Sequence, residues 1–223
     1  MNHLENINKI CAVIPFFNEE ENLKILFHKV IKFVDCIIAV NDGSTDNSVY
    51  QIPQKDNIIL LNHKKNLGKG RALRSGFLHS IKLNTHITIT LDADMQHLPE
   101  LIPSFVEQIH YYDVVIGNRL NNTKSMPIQR KISNYLTSKL LSWKTGEQIL
   151  DSQSGYRAFR TSILQNIMPD RNGFEAESEM IVKILNNNYK IGYIDIPTLY
   201  NENKSKINAW QTIKGFLNVI ITE

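Results

Sequence analysis

The stretch "KICAVIPFFNEEENLKILFHKVIKFVDCIIAVNDGS", Lys9 to Ser44, sets two apolar runs on either side of a segment with a different period. The first run, "KICAVIP", is short and ends at Pro15; the second, "CIIAV", reads as a buried strand. Between them Leu23, Leu26, Phe27, Val30, Ile31 and Val34 recur at helical spacing. Strand, helix and strand in that order favour a parallel sheet whose connections cross over its face.

Reading outward from this unit, the pattern repeats. "DGSTDNS" is a turn carrying helix N-cap residues, "NIILLN" a third strand, and "NLGKGRALRSGFLHSI" a glycine turn that runs into a helix. "THITITL" alternates β-branched residues as a fourth strand, Pro99 can open a helix through "ELIPSFVEQI", and "DVVIGN" is a fifth strand. The class is therefore α/β: an open, mostly parallel central sheet with helices on both faces. Ligands of such sheets bind beyond the carboxyl ends of the strands. Pro15, Asp42, the "HKKNLGKG" turn and Asp92 to Gln96 all follow strands, so they should share one rim. The second half is less regular. "PIQRKISNYLTSKLLSW" and "EAESEMIVKILNNN" read as amphipathic helices, and "YKIGYIDIP" as a strand that Pro197 ends or moves to an edge. The polar loop "NRLNNTKSMP", closed by Pro127, is a candidate for mobility.

The composition bounds the function. The chain has 223 residues, 42% of them hydrophobic and 21% charged, which suffices for one sizeable core. Its net charge of +3 comes without a dense basic block, so nucleic acid is not the expected partner. Cys11 and Cys36 lie in apolar runs and read as buried free thiols. No leader pattern precedes the first strand, and no apolar stretch approaches the roughly 18 residues of a membrane span. The sequons at Asn121 and Asn203 are accordingly read as chance, and the expected location is cytoplasmic.

The chemistry concentrates in "TLDADMQHLPE", Thr90 to Glu100, where two carboxylates stand one residue apart at a strand's carboxyl end. Like charges so placed call for a positive partner. Asp92, Asp94 and Gln96 suit Mg²⁺ or Mn²⁺, which takes one or two carboxylates together with substrate phosphates and water. An acidic turn capping the next helix is the competing reading. "NLGKGRALRSG" resembles a phosphate cradle at a helix N-terminus, with Gly68 and Lys69 at its centre. It is not a Walker A sequence, because no Gly-Lys-Ser/Thr follows. Phe17 could stack on a base and Asp42 could accept hydrogen bonds from a base or ribose, although each also fits an ordinary turn.

Taken together, "AVIPFFNEEENL", "VNDGSTD", "NLGKGRAL", "LDADMQHLPE", "GNR", "RKISNYLTSKLL", "DSQSGYRAF", "GFEAESEM" and "IPTLY…KSKIN" resemble a family-2 inverting glycosyltransferase of the GT-A, Rossmann-like fold. Within it, the likeness is to the dolichyl- and polyprenyl-phosphate sugar synthase group. The resemblance implies that Pro15, Phe17, Glu19, Asp42, Gly68, Lys69 and Asp92 bind the nucleotide, with Phe17 in place of a common tyrosine. Asp92, Asp94 and Gln96 would hold the metal and donor. Arg119 and Arg157 would join Asp94 near the transferred sugar, and Arg130, Ser154, Glu179 and Lys206 would meet the acceptor. Ala209 stands where the group would have proline, and Asn41 where many members have a further aspartate.

With no internal repeat and no linker-like stretch, the expected layout is one domain over residues 1–223. Residues 1–118 would form the nucleotide-sugar and metal half, 119–206 the acceptor half, and 207–223 an amphipathic terminal helix. The donor would be a UDP- or GDP-sugar, and the acceptor a polyprenyl phosphate or a saccharide hydroxyl. A hydroxyl acceptor wants a carboxylate base, whereas a phosphate is already ionised and wants cations to bring it in. Arg119, Arg130 and Arg157 suit the phosphate. A sugar-1-phosphate nucleotidyltransferase would open on a glycine-rich stretch with an Arg-Lys signature, which "VIPFFNEEENL" lacks; a non-catalytic nucleotide-sugar binder is the remaining alternative. Ile207, Trp210, Ile213, Leu217, Ile220 and Ile221 recur at helical spacing. That spacing fits packing on the core, a homodimer contact or peripheral membrane attachment, and leaves the three open.

Overall fold

A computed structural model describes residues 9–121, 123 and 126–198. The Lys9–Ser44 unit folds as read. Strand β1 (Ile10–Phe16) leads into helix α1 (Leu23–Val30) and then β2 (Cys36–Asn41), which pairs with β1 in parallel from Cys11–Cys36 to Phe16–Asn41. Both cysteines are free and buried. Pro15 is tolerated inside β1 because pairing on the other side, with β4 (Ile87–Thr90), stops at Val13.

The remaining elements follow as β3 (Ile58–Asn62), α2 (Lys69–Lys82), α3 (Ile102–Gln108), β5 (Val114–Asn118), α4 (Ile128–Thr145), β6 (Arg157–Arg160), α5 (Ala176–Asn186) and β7 (Ile191–Asp195). They form one seven-stranded sheet in the order β3-β2-β1-β4-β6-β5-β7. Every pairing is parallel except the two made by β6, which is inserted antiparallel between β4 and β5. The sequence reading contained no strand at "RAFR". Strand β7 occupies the edge, where Pro197 follows it without breaking a ladder.

Side chains of β1 alternate between two cores. Cys11 and Val13 join Phe77 of α2, Leu141 of α4 and Ile181 of α5 on one face. Ala12, Ile14 and Phe16 join Leu26 and Phe27 of α1 and Phe105 of α3 on the other. A sheet whose central strands are buried on both faces exposes backbone only at the strand ends, so chemistry is pushed to the carboxyl rim.

Candidate active site

Turns lace the rim together before any catalytic group is considered. After β1, Asn18 adopts φ 55°; its N–H donates to Ser44 Oγ at 3.0 Å, and its Oδ1 accepts from Thr45 N at 2.8 Å. Glu19 N donates to Ser48 Oγ at 2.8 Å, while Glu19 Oε2 accepts from Asn22 at 3.1 Å. The "FFNEE" and "DGSTDNS" turns thus hold each other. Phe17 and Glu19 are half-buried on this wall, and Pro15 is buried beneath it.

Asp42 is buried and faces inward. Its carboxylate accepts from Leu67 N at 3.0 Å, Gly68 N at 2.8 Å and His63 Nδ1 at 2.7 Å; His63 Nε2 in turn meets Ser75 Oγ at 2.9 Å. Asp42 therefore shapes the glycine turn that opens α2. That turn requires glycine: Gly68 sits at φ 97°, and a Cβ there would lie 2.4 Å from the Asn172 carbonyl oxygen.

From the first residue of α2, Lys69 reaches the acidic motif. Its ammonium lies 2.5 Å from Asp92 Oδ1 and 2.8 Å from Glu177 Oε1. Burial alone would lower the lysine's pKa, but the charges of Asp92 and Glu177 overcome this and hold it above its ordinary value. Burial likewise opposes ionisation of Asp92, and Lys69 reverses that, keeping this carboxyl well below the usual range. Asp94 lies the other way: burial, then the charge of Asp92, push it up to about 6. The turn that follows Asp94 places Met95 at φ 64° and gives the Gln96 N–H to Asp94 Oδ1 at 3.1 Å.

His97 fixes the start of this turn. It is buried and stacked on Tyr156 with centroids 5.0 Å apart, and its Nδ1 accepts the Asp92 N–H at 3.0 Å. Burial depresses its pKa to about 4, so it stands neutral with the proton on Nε2.

Asp92 and Asp94 fit a hard divalent cation. They stand one residue apart at a strand end, and the charge of Asp92 adds to burial in raising Asp94, a charge that a cation would relieve. Among the described residues no three His, Cys, Asp or Glu side chains converge on one point, so the remaining ligands would be waters and substrate phosphates.

Three of the expected sugar- and acceptor-side residues are buried. Arg157 is 1% exposed, and its guanidinium donates to the carbonyls of Ser154 at 2.7 Å, Glu177 at 2.8 Å and Ser152 at 2.9 Å. It braces the sheet end from inside. Glu179 is 0% exposed; it pairs with Lys183 at 2.7 Å and accepts from Asp170 N and Arg171 N at 2.9 and 3.0 Å. It organises its own loop, and Glu177, two residues earlier, meets Lys69 instead. Ser154 is fully buried, and its hydroxyl has no hydrogen-bond partner among the described residues. Arg119 does approach the rim, held by Asp151 through Nε at 2.8 Å and Nη2 at 2.9 Å. Arg130 is half-buried in the first turn of α4. Lys206 and the 207–223 segment lie outside the described residues.

Sequence reasoning missed Asp151 and Glu177. Asp151 stands at the head of "DSQSGYRAF", and only its pairing with Arg119 across the fold marks it. The turn it begins is pinned to α4: Ser152 N donates to Ser138 Oγ at 2.9 Å and Gln153 Nε2 to Thr137 Oγ1 at 3.2 Å.

With this geometry in view, the likenesses of the chain acquire a physical meaning. The family model of glycosyl transferase family 2 matches residues 11–168. An uncharacterized protein of Methanocaldococcus jannaschii is 34% identical, over 95% of this chain and 89% of that protein. The UDP-N-acetylglucosamine--dolichyl-phosphate N-acetylglucosaminyltransferase of Methanococcus voltae is 31% identical, over 86% of each. The undecaprenyl-phosphate 4-deoxy-4-formamido-L-arabinose transferase of Proteus mirabilis is 32% identical over 96% of this chain, which spans 66% of that protein. In three dimensions the chain resembles glucosyl-3-phosphoglycerate synthase from Mycobacterium tuberculosis, crystallised with Mn²⁺, UDP and phosphoglyceric acid. The TM-score is 0.76 at 18% identity, covering 96% of this chain and 78% of that one. At that identity the likeness speaks for the α/β GT-A architecture alone.

Proposed function

Because the chain belongs to glycosyl transferase family 2, we propose that it moves a sugar from a nucleoside diphosphate sugar to a polyprenyl phosphate. The observation that carries this reading is the Asp92–Asp94 turn, set at the carboxyl rim beside Lys69 and the glycine turn of α2. Relatives named for dolichyl- and undecaprenyl-phosphate acceptors support the acceptor.

Each wall of the rim has a task. The half-buried Phe17 and the Asp42-organised turn line the side where the base would rest. A cation on Asp92 and Asp94, either Mg²⁺ or Mn²⁺, would draw off the charge of the departing diphosphate. Lys69 offers an ammonium to the same phosphates from the N-terminus of α2, where helix amides also favour anions. Arg119 and Arg130 stand on the acceptor side. An acceptor phosphate is ionised at neutral pH, so these cations suffice to bring it in without a strong base. Arg157 and Glu179, braced as described, support the site from behind.

Attachment at a membrane surface agrees with a lipid acceptor. Among the described residues no helix is long and apolar enough to cross a membrane. Helix α4, however, exposes Ile128, Ile132, Tyr135, Leu136 and Trp143, by 51% to 82%. The helix carries Arg130, Lys131, Lys139 and Lys144 and no acidic residue. An apolar stripe with cations and a tryptophan suits an anionic lipid interface.

The test is a transfer assay over UDP- and GDP-sugars, with a short-chain polyprenyl phosphate and a saccharide as competing acceptors. Transfer to the lipid phosphate that vanishes with EDTA and in Asp94→Ala is expected, since losing one carboxylate forfeits several kcal/mol of charge stabilisation. Transfer to saccharide hydroxyls alone would overturn the acceptor assignment. Undiminished turnover of Asp94→Ala at limiting Mn²⁺ would overturn the metal assignment.

A further inference from the structure

Lys69 has two carboxylate partners, and one of them is also needed elsewhere. Its ammonium sits 2.5 Å from Asp92 Oδ1 and 2.8 Å from Glu177 Oε1. The pair of carboxylates closes over Gly155, where a Cβ would lie 2.7 Å from both Asp92 oxygens and 2.9 Å from Glu177 Oε1. No side chain can enter between them from that side. Glu177 is itself fixed, because it is buried in the first turn of α5 and its carbonyl receives Arg157 Nη1 at 2.8 Å. Its backbone is thus held in place, with the carboxylate on Lys69.

The charges define why this matters. Asp92, Asp94 and Glu177 are three carboxylates against the one Lys69 ammonium, a formal excess of two negative charges beside the rim. The neighbouring guanidinium of Arg119 is engaged by Asp151. A divalent cation balances the excess, but it would draw on the same Asp92 carboxylate whose Oδ1 the ammonium holds. If Asp92 were the lysine's one partner, cation binding would leave a buried ammonium sharing a carboxylate whose charge the cation has taken, which is unfavourable. We propose that Glu177 is a positioning residue: it keeps Lys69 paired when Asp92 turns to the divalent cation, so that ammonium and cation can occupy the rim together. This rests on the reading of Asp92 and Asp94 as the cation's carboxylates.

The test measures binding of Mn²⁺ alone, by counting free Mn²⁺ with electron paramagnetic resonance, with no donor and no turnover. The proteins are the full chain and its Asp94→Ala, Glu177→Gln, Lys69→Met and Lys69→Met/Glu177→Gln variants, each checked for its melting transition. Glu177→Gln should weaken Mn²⁺ binding on the order of tenfold, because the ammonium is then confined to Asp92. Removing that ammonium as well should restore affinity to at least the wild-type level. A double variant as weak as Glu177→Gln would make Glu177 a direct contributor to the cation and overturn the proposal. So would a Glu177→Gln protein that binds Mn²⁺ like wild type. The Asp94→Ala arm reports separately on the underlying reading: if it matches wild type, or wild type holds no Mn²⁺, the cation assignment falls and this inference with it.

Discussion

Arg157, expected near the transferred sugar, is bonded as a structural brace. Its three charge-assisted hydrogen bonds tie the carbonyls of Ser152 and Ser154, in the turn that follows Asp151, to the Glu177 carbonyl in α5. We predict that Arg157→Ala leaves the Ser152 and Ser154 carbonyls without this donor, cuts their tie to α5, and costs about 3–5 kcal/mol of stability, as breaking a buried charged network does. Urea denaturation should show a lowered midpoint, and donor and acceptor affinity should fall together. A stable Arg157→Ala protein with acceptor affinity alone reduced would return Arg157 to the acceptor. The same scale explains what was legible. Asp92 and Asp94 could be read because two adjacent carboxylates after a buried strand have few other uses. Glu177 and Glu179 could not be told apart, since α5 is buried all round from Ala176 to Val182 and its periodicity gives neither glutamate a solvent face. Arg119 was visible, but its partner Asp151 is 32 residues away and only the fold brings it near.

Among the elements, those with a clean period were read and those without were missed. The β1–α1–β2 unit, β3, α2, β4 and β5 carry their pattern over several residues each, so burial on one or two faces is written into the chain. Strand β6 has four residues with arginine at each end, and it is a strand because β4 and β5 leave a gap that its backbone fills. Pro99 opens a short 3-10 turn, Pro99–Leu101, before α3 instead of a single helix. Helix α4 was recognised as amphipathic, yet its exposed side is the more apolar one. Small polar residues, Asn134, Thr137 and Ser138, face the interior, and the last two grip the 151–154 turn, while Ile132, Tyr135, Leu136 and Trp143 face out. Replacing exposed residues away from packed contacts changes stability by less than about 0.5 kcal/mol. We therefore expect the double change Leu136→Glu and Trp143→Glu to melt like wild type yet to lose sedimentation with anionic liposomes. Transfer to a short water-soluble acceptor should be kept. Liposome binding unchanged by the two glutamates would remove α4 from the membrane contact and leave the terminal segment as the candidate.

At the scale of the whole molecule, the rim draws on both parts of the chain. Lys69 and Asp92 come from one side of the sheet order and Glu177 from the helix after β6, while Asp42 shapes the turn that carries Lys69. A donor with its cation would therefore stabilise the folded chain against global unfolding, not one loop against fraying. An unfolded chain has neither the turn between Asp92 and Asp94 nor the α2 N-terminus, so it cannot bind the pair. Linkage then gives about 2.7 kcal/mol when free ligand stands at a hundred times its dissociation constant. For a chain of 223 residues, each kcal/mol raises the melting temperature by roughly 2–4 °C, so the expected shift is roughly 5–11 °C. Scanning calorimetry with UDP and Mn²⁺ together should show it, and either alone should give much less, because each supplies charge that the other needs. Asp94→Ala should abolish the shared part of the shift. An equal shift from UDP in the presence of EDTA would mean that Lys69 and the α2 amides bind the diphosphate unaided, and the two aspartates would then need another role.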